Sequence, residues 1–101
     1  MANLQFERIV QITEVMHQYA RVGNWEQVQL SDSRRQQLLD DAILAQTMVT
    51  NEHGLEKIQD LNNKILELAR KDQRRLQSDH QKTRHNLQKC SAYLETSRRS
   101  K

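Results

Sequence analysis

The chain has no proline, two glycines and one cysteine in 101 residues, and four of its side chains are aromatic. With Gly23 and Gly54 as the only glycines, turn formers are too sparse for a sheet or sandwich, which needs them every ten or so residues. A single cysteine, Cys90, excludes an intrachain disulfide and a cysteine metal cluster, and it suits a reducing interior. Long apolar runs are missing as well. The opening "ANLQFERIVQITEVM" interleaves polar and charged residues, so it reads as neither a secretory segment nor a membrane span. These absences predict an all-α, soluble, cytoplasmic chain that forms one helical domain over residues 1–101, with no membrane contact.

Catalytic constellations are missing too. The histidines are His17, His53, His80 and His85, and the closest pair is five residues apart, which misses the three- or four-residue spacing that sets two ligands on one helical face. Cys90 falls on an apolar arc, where a small buried hydrophobe is expected rather than a nucleophile. There is no Gly-rich phosphate loop. The reading is a non-enzyme that uses no metal or cofactor.

What the chain does have is charge and helical periodicity. Residues 1–69 hold 6 Lys and Arg against 10 Asp and Glu, whereas residues 70–101 hold 10 against 3. A basic last third therefore follows a mildly acidic body. In the first segment Leu4, Ile9, Ile12, Val15, Met16, Tyr19, Ala20 and Val22 share one arc at 100° per residue, with Phe6 and Val10 outside it. That surface is wider than one neighbour covers, so helix one, residues 1–22, sits between two helices or leaves part of its face for a partner. Gly23 can close this helix in the left-handed conformation, and Asn24 is a favoured N-cap for helix two, residues 24–48. Trp25 then becomes the first residue of helix two, on the stripe of Val28, Leu38, Leu39, Ala42 and Ile43. It is expected to pack back onto helix one near Tyr19, with its indole N–H left wet. Leu30, Leu44 and Met48 lie off the stripe and suggest a second apolar surface.

The third segment carries the clearest pattern. After Thr50, Asn51 and Gly54, which suggest a turn and a cap, Leu55, Ile58, Ile65, Ala69, Leu76, Leu87, Cys90 and Leu94 stay on one narrow arc. Asn62, Asp72, His80 and Thr83 fill that arc where it is polar. No proline or glycine interrupts the phase, so it predicts one helix over 52–96, basic from residue 70, and a frayed tail at 97–101. The expected architecture is an antiparallel three-helix bundle with a long, coiled-coil-like C-terminal helix. Its thin distal seam calls for a partner, a second copy of the chain or a fold-back of the last turns.

The turn "GNWE" at residues 23–26, "RRQQLL" at 34–39, "LNNKILEL" at 61–68 and a terminal "AY" at 92–93 resemble the FliT-type flagellar export chaperones over nearly the whole chain. The resemblance implies a chaperone that binds the C-terminal helical part of the flagellar filament-cap protein, prevents its early assembly and delivers it to the type III export apparatus. In some members it also implies contact with the export ATPase and with a flagellar transcriptional activator. Members have a distinct last helix that can fold over the substrate groove, and the unbroken phase from Leu55 to Leu94 departs from that. Together with the residue pattern, the resemblance places the client in a groove between helices two and three, lined by Leu44, Met48, Leu61, Leu68 and Leu76. Leu87, Tyr93 and Leu94 become candidates for C-terminal docking or self-association.

Two other readings stay open. The long helix could pair with its own copy as a coiled-coil homodimer with Asn62 setting register. Alternatively, a basic face of Arg70, Arg74, Arg75, Lys82 and Lys89 could hold an acidic partner. Nucleic acid is disfavoured, because no recognition motif or aromatic stacking platform accompanies that charge.

Overall fold

In a computed structural model, residues 4–45, 50–77 and 84–99 are described. They form four helices and no strand: α1 (Leu4–Arg21), α2 (Trp25–Ala45), α3 (Glu52–Gln77) and α4 (Arg84–Arg99). The all-α bundle expected from the sequence is what the chain forms, with the third element divided in two.

The α1–α2 turn follows its sequence closely. Gly23 has φ +73°. The Asn24 N–H donates to the Tyr19 carbonyl (2.9 Å) and the Gly23 N–H to that of Ala20 (3.1 Å), the paired bonds of a Schellman motif. Asn24 then caps α2, its Oδ1 accepting from the Gln27 N–H at 3.4 Å. At the start of α3 the cap is Asn51, whose Oδ1 accepts from the Gly54 N–H at 2.7 Å. Gly54 therefore belongs to the first turn of α3 and not to the loop before it.

α1 packs against α2 and α3, and α4 packs against the same two helices, so α1 and α4 occupy one diagonal of the bundle and α2 and α3 the other. Helix one thus does sit between two neighbours. Its buried side is rotated from the expected arc, with Phe6, Ile9, Thr13, Met16 and Ala20 inside while Val15 is 46% and Val22 77% exposed. Phe6 is drawn in because Gly54 lets α3 approach: a Cβ on Gly54 would lie 2.4 Å from the Phe6 ring.

One helix over 52–96 is the expectation that the structure corrects. α4 lies antiparallel along α3, with Cys90 Sγ donating to the Ala69 carbonyl (3.2 Å) and Gln73 Nε2 donating to Ser91 Oγ (3.1 Å). The arc residues Ile65, Ala69, Leu76, Cys90 and Leu94 consequently face one another inside the chain's own core. The seam is filled from within, and Asn62 bonds Arg35 of the same chain, which replaces the register role considered for a homodimer. The tail shifts too, because α4 continues through Arg99 where fraying was expected from residue 97. Met48, His80, Lys82 and Thr83 lie outside the described residues.

Trp25 is fully buried, as a core residue should be, and its ring and N–H groups meet the second hairpin. Its ring pairs with Tyr93 of α4 at 6.1 Å between centroids, and its Nε1 donates to Asp72 Oδ2 of α3 at 2.9 Å. The expected wet N–H is a charge-assisted bond, worth about 1.5–3 kcal/mol.

Replacing Gly54 by Ala tests the close approach. Alanine gains about 1 kcal/mol in helix propensity, yet a methyl driven into the buried Phe6 ring should lower the unfolding free energy in urea by about 1–3 kcal/mol. A stabilised variant would mean that the ring has room to move.

Candidate functional site

A guanidinium joins the four helices at mid-bundle. Arg35 of α2 donates through Nη1 to Thr13 Oγ1 of α1 (3.0 Å) and Asn62 Oδ1 of α3 (2.8 Å), and through Nη2 to Asp32 Oδ1 (2.8 Å). It also acts on the Tyr93 hydroxyl of α4 through its charge and a hydrogen bond. The ion pair with Asp32 is only 13% and 15% exposed on its two sides. Thr13 is itself fully buried and donates back to the Ile9 carbonyl at 2.8 Å. Sequence reading took Arg35 only as part of "RRQQLL". The signal that could have found the node was Asn62, one of the polar residues that break the apolar arc.

Beside this node α2 and α3 stand apart and leave a cleft of about 730 Å³. α3 is 26 residues long and the antiparallel α4 only 16, so the first turns of α3 extend past the described end of α4. Leu55, Ile58, Asn62 and Leu66 of α3 and Asp32, Arg35, Gln36 and Leu39 of α2 line the two walls, with Phe6 and Ile9 of α1 as floor and Tyr93 and Ser97 of α4 at one end. Leu55 remains 48% exposed. The apolar arc of α3 is thus covered by α4 from Ile65 upward and open below.

A groove between helices two and three was expected, but its lining differs from the five residues proposed from sequence. Leu76 is 2% exposed and belongs to the core, where α4 packs. Leu44 is 84% exposed and does not line the cleft. Leu61 is half-buried and also off the lining. Leu68 opens onto a separate groove between α1 and α3, with His17, Arg21, Lys64, Glu67 and Lys71. There, partial burial and then the Lys64 and Arg21 charges hold the His17 pKa below its ordinary value.

The C-terminal candidates are largely internal. Tyr93 and Leu94 are 2% and 7% exposed and Leu87 packs against the same cluster, so α4 docks on its own bundle. The basic residues do not form one helical face, because Arg70, Arg74 and Arg75 stand on α3 and Lys89 on α4, and Arg75 pairs with Asp72 at 3.6 Å.

Residues 4–95 match the family described as flagellar protein FliT. The chain belongs to the FliT family of flagellar proteins. No curated protein and no solved structure gives a significant match. The match reaches from the first turn of α1 to the C-terminal turns of α4 and so takes in every cleft-lining residue except Ser97. The distinct last helix that the FliT resemblance implied is present as α4, so the departure read from the unbroken phase disappears. No described helix is long and apolar enough to cross a membrane.

Two predictions test the node and the core packed around it. Arg35→Met leaves the part-buried Asp32 carboxylate unpaired and removes the donor to Thr13 and Asn62, and should cost about 1–3 kcal/mol in urea unfolding. Arg35→Lys should recover only part of that, since an ammonium lacks the planar fork. A loss under 1 kcal/mol for Met would show that the node is dispensable.

The second is a pH profile. Burial pushes the Cys90 thiol from 9.0 up to about 12, with the Asp72 charge adding to it. Burial likewise raises the Tyr93 hydroxyl from 10.0 to about 12, against the lowering effect of Arg35. Both folded values exceed the unfolded ones, so the stabilisation tied to the neutral forms is complete below pH 9.0 and is lost as pH rises toward about 12. Urea midpoints should fall across that window, less steeply in Tyr93→Phe; a flat profile would contradict the assignment.

Proposed function

We propose that this chain is a cytoplasmic flagellar export chaperone that takes an amphipathic helix of its client into the α2–α3 cleft. The client is the C-terminal helical segment of the filament-cap protein, which the chaperone keeps from assembling early and delivers to the type III export apparatus. Membership of a flagellar family supports the setting. The observation that carries the binding mode is the stretch of the α3 apolar arc that α4 leaves uncovered, Leu55 and Ile58, facing Leu39 across a floor of Phe6 and Ile9. An apolar face between two parted helices suits helix-in-groove recognition. A helix seated there continues the line of α4, and the complex would bury on the order of 1,600 Å² in total. The node beside the cleft offers polar ends for fixing the client's register, since Asp32, Arg35 and Asn62 all line it. The export ATPase and the flagellar transcriptional activator are the further partners that the family resemblance adds.

Titration calorimetry with the C-terminal segment of the filament-cap protein tests this reading. Leu55→Glu with Ile58→Glu should weaken binding by about tenfold or more, an effect of at least 1.4 kcal/mol, with circular dichroism unchanged. Leu44→Glu, outside the cleft, should leave it as it was. Unchanged affinity in the double variant together with a loss in Leu44→Glu or Leu68→Glu would move the site elsewhere.

A further inference from the structure

The outward face of the α1–α2 hairpin carries a further groove that shares no residue with the cleft or with the α1–α3 groove. It encloses about 400 Å³ between Arg8, Ile12 and Val15 on α1 and Ser31, Arg34 and Leu38 on α2. Its floor is apolar, with Ile12 and Leu38 half-buried and Val15 46% exposed. Its walls are cationic. Arg8 and Arg34 are exposed on opposite sides, no carboxylate lines the groove, and neither guanidinium has an ion pair or hydrogen bond among the described residues.

The spacing is that of two helix ridges. Arg8, Ile12 and Val15 stand at i, i+4 and i+7 on α1, and Ser31, Arg34 and Leu38 at i, i+3 and i+7 on α2. A third helix can lie in the furrow between such ridges. With apolar side chains on Ile12, Val15 and Leu38, its flanking positions come beside Arg8 and Arg34, where carboxylates would form charge-assisted bonds. A second copy of the chain is a poor occupant, because a two-fold pairing of this face brings four guanidiniums together with no carboxylate among the lining residues. We propose that the groove docks an acidic amphipathic helix of a partner protein, on a face separate from the α2–α3 cleft, so that the chain can hold two partners at once.

Fluorescence anisotropy on the full-length protein tests this with two labelled amphipathic peptides of about 20 residues, roughly 30 Å as helices. One carries leucines at i, i+3, i+4 and i+7 flanked by Glu, and the other is identical with Lys for every Glu. The Glu peptide should bind, and the Lys peptide should bind at least about tenfold more weakly. Arg8→Glu with Arg34→Glu should weaken the Glu peptide by about tenfold, and Val15→Asp should weaken it too, both with circular dichroism unchanged. Leu55→Glu with Ile58→Glu should not alter it. Absent binding, equal binding of the two peptides, indifference to the arginine reversals or loss in the cleft variant would each overturn the proposal. So would light scattering that shows a dimer dissolved by the arginine reversals, which would give this face to a second copy.

Discussion

A single guanidinium sets how the four helices stand against one another. Arg35 reaches Thr13, Asp32, Asn62 and Tyr93, one partner on each helix, and so ties their axial positions together. Burying a cation is costly unless its donors are matched, and Asp32 supplies the charge while Thr13 and Asn62 supply directed acceptors. Apolar packing alone would tolerate a slip of one helix along another. A forked group with acceptors at 2.8–3.0 Å does not, because any slip strands a buried polar atom.

The rest of the bundle is arranged around that constraint. About three turns nearer the hairpin end, Trp25 fills the space between the two hairpins and uses Asp72 and Tyr93 to hold α3 and α4. At the other end Gly54 admits Phe6, which brings α1 against α3 and provides the floor of the cleft. Because α3 is longer than α4, its register leaves an apolar stretch with walls and a floor but no fourth helix over it. The open cleft is thus a product of helix length and register, with the polar node closing its inner end.

How much of this was legible can be followed residue by residue. Gly23 and Asn24 predicted the first hairpin turn because a left-handed glycine and an Asx cap act over a few neighbouring residues. From Ile65 to Leu94 the arc marked the buried side of the last two helices, yet it suggested one helix. Periodicity reports which face is apolar and not which way the chain runs, and two antiparallel helices can satisfy the same arc as one long one. That reversal moved Leu76, Tyr93 and Leu94 into the core and transferred the open surface to Leu39, Leu55 and Ile58.

The sequence by itself determined the helical class, the local caps and the positions where an apolar arc is broken by a polar residue, all of which depend on neighbours within a turn or two. Asn62 and Asp72 were visible as such breaks. Only the tertiary structure decided their partners, Arg35 and Trp25, which are 27 and 47 residues away. The physical reason is that a hydrogen bond between helices depends on axial register and rotation, and these emerge only when all four helices pack together.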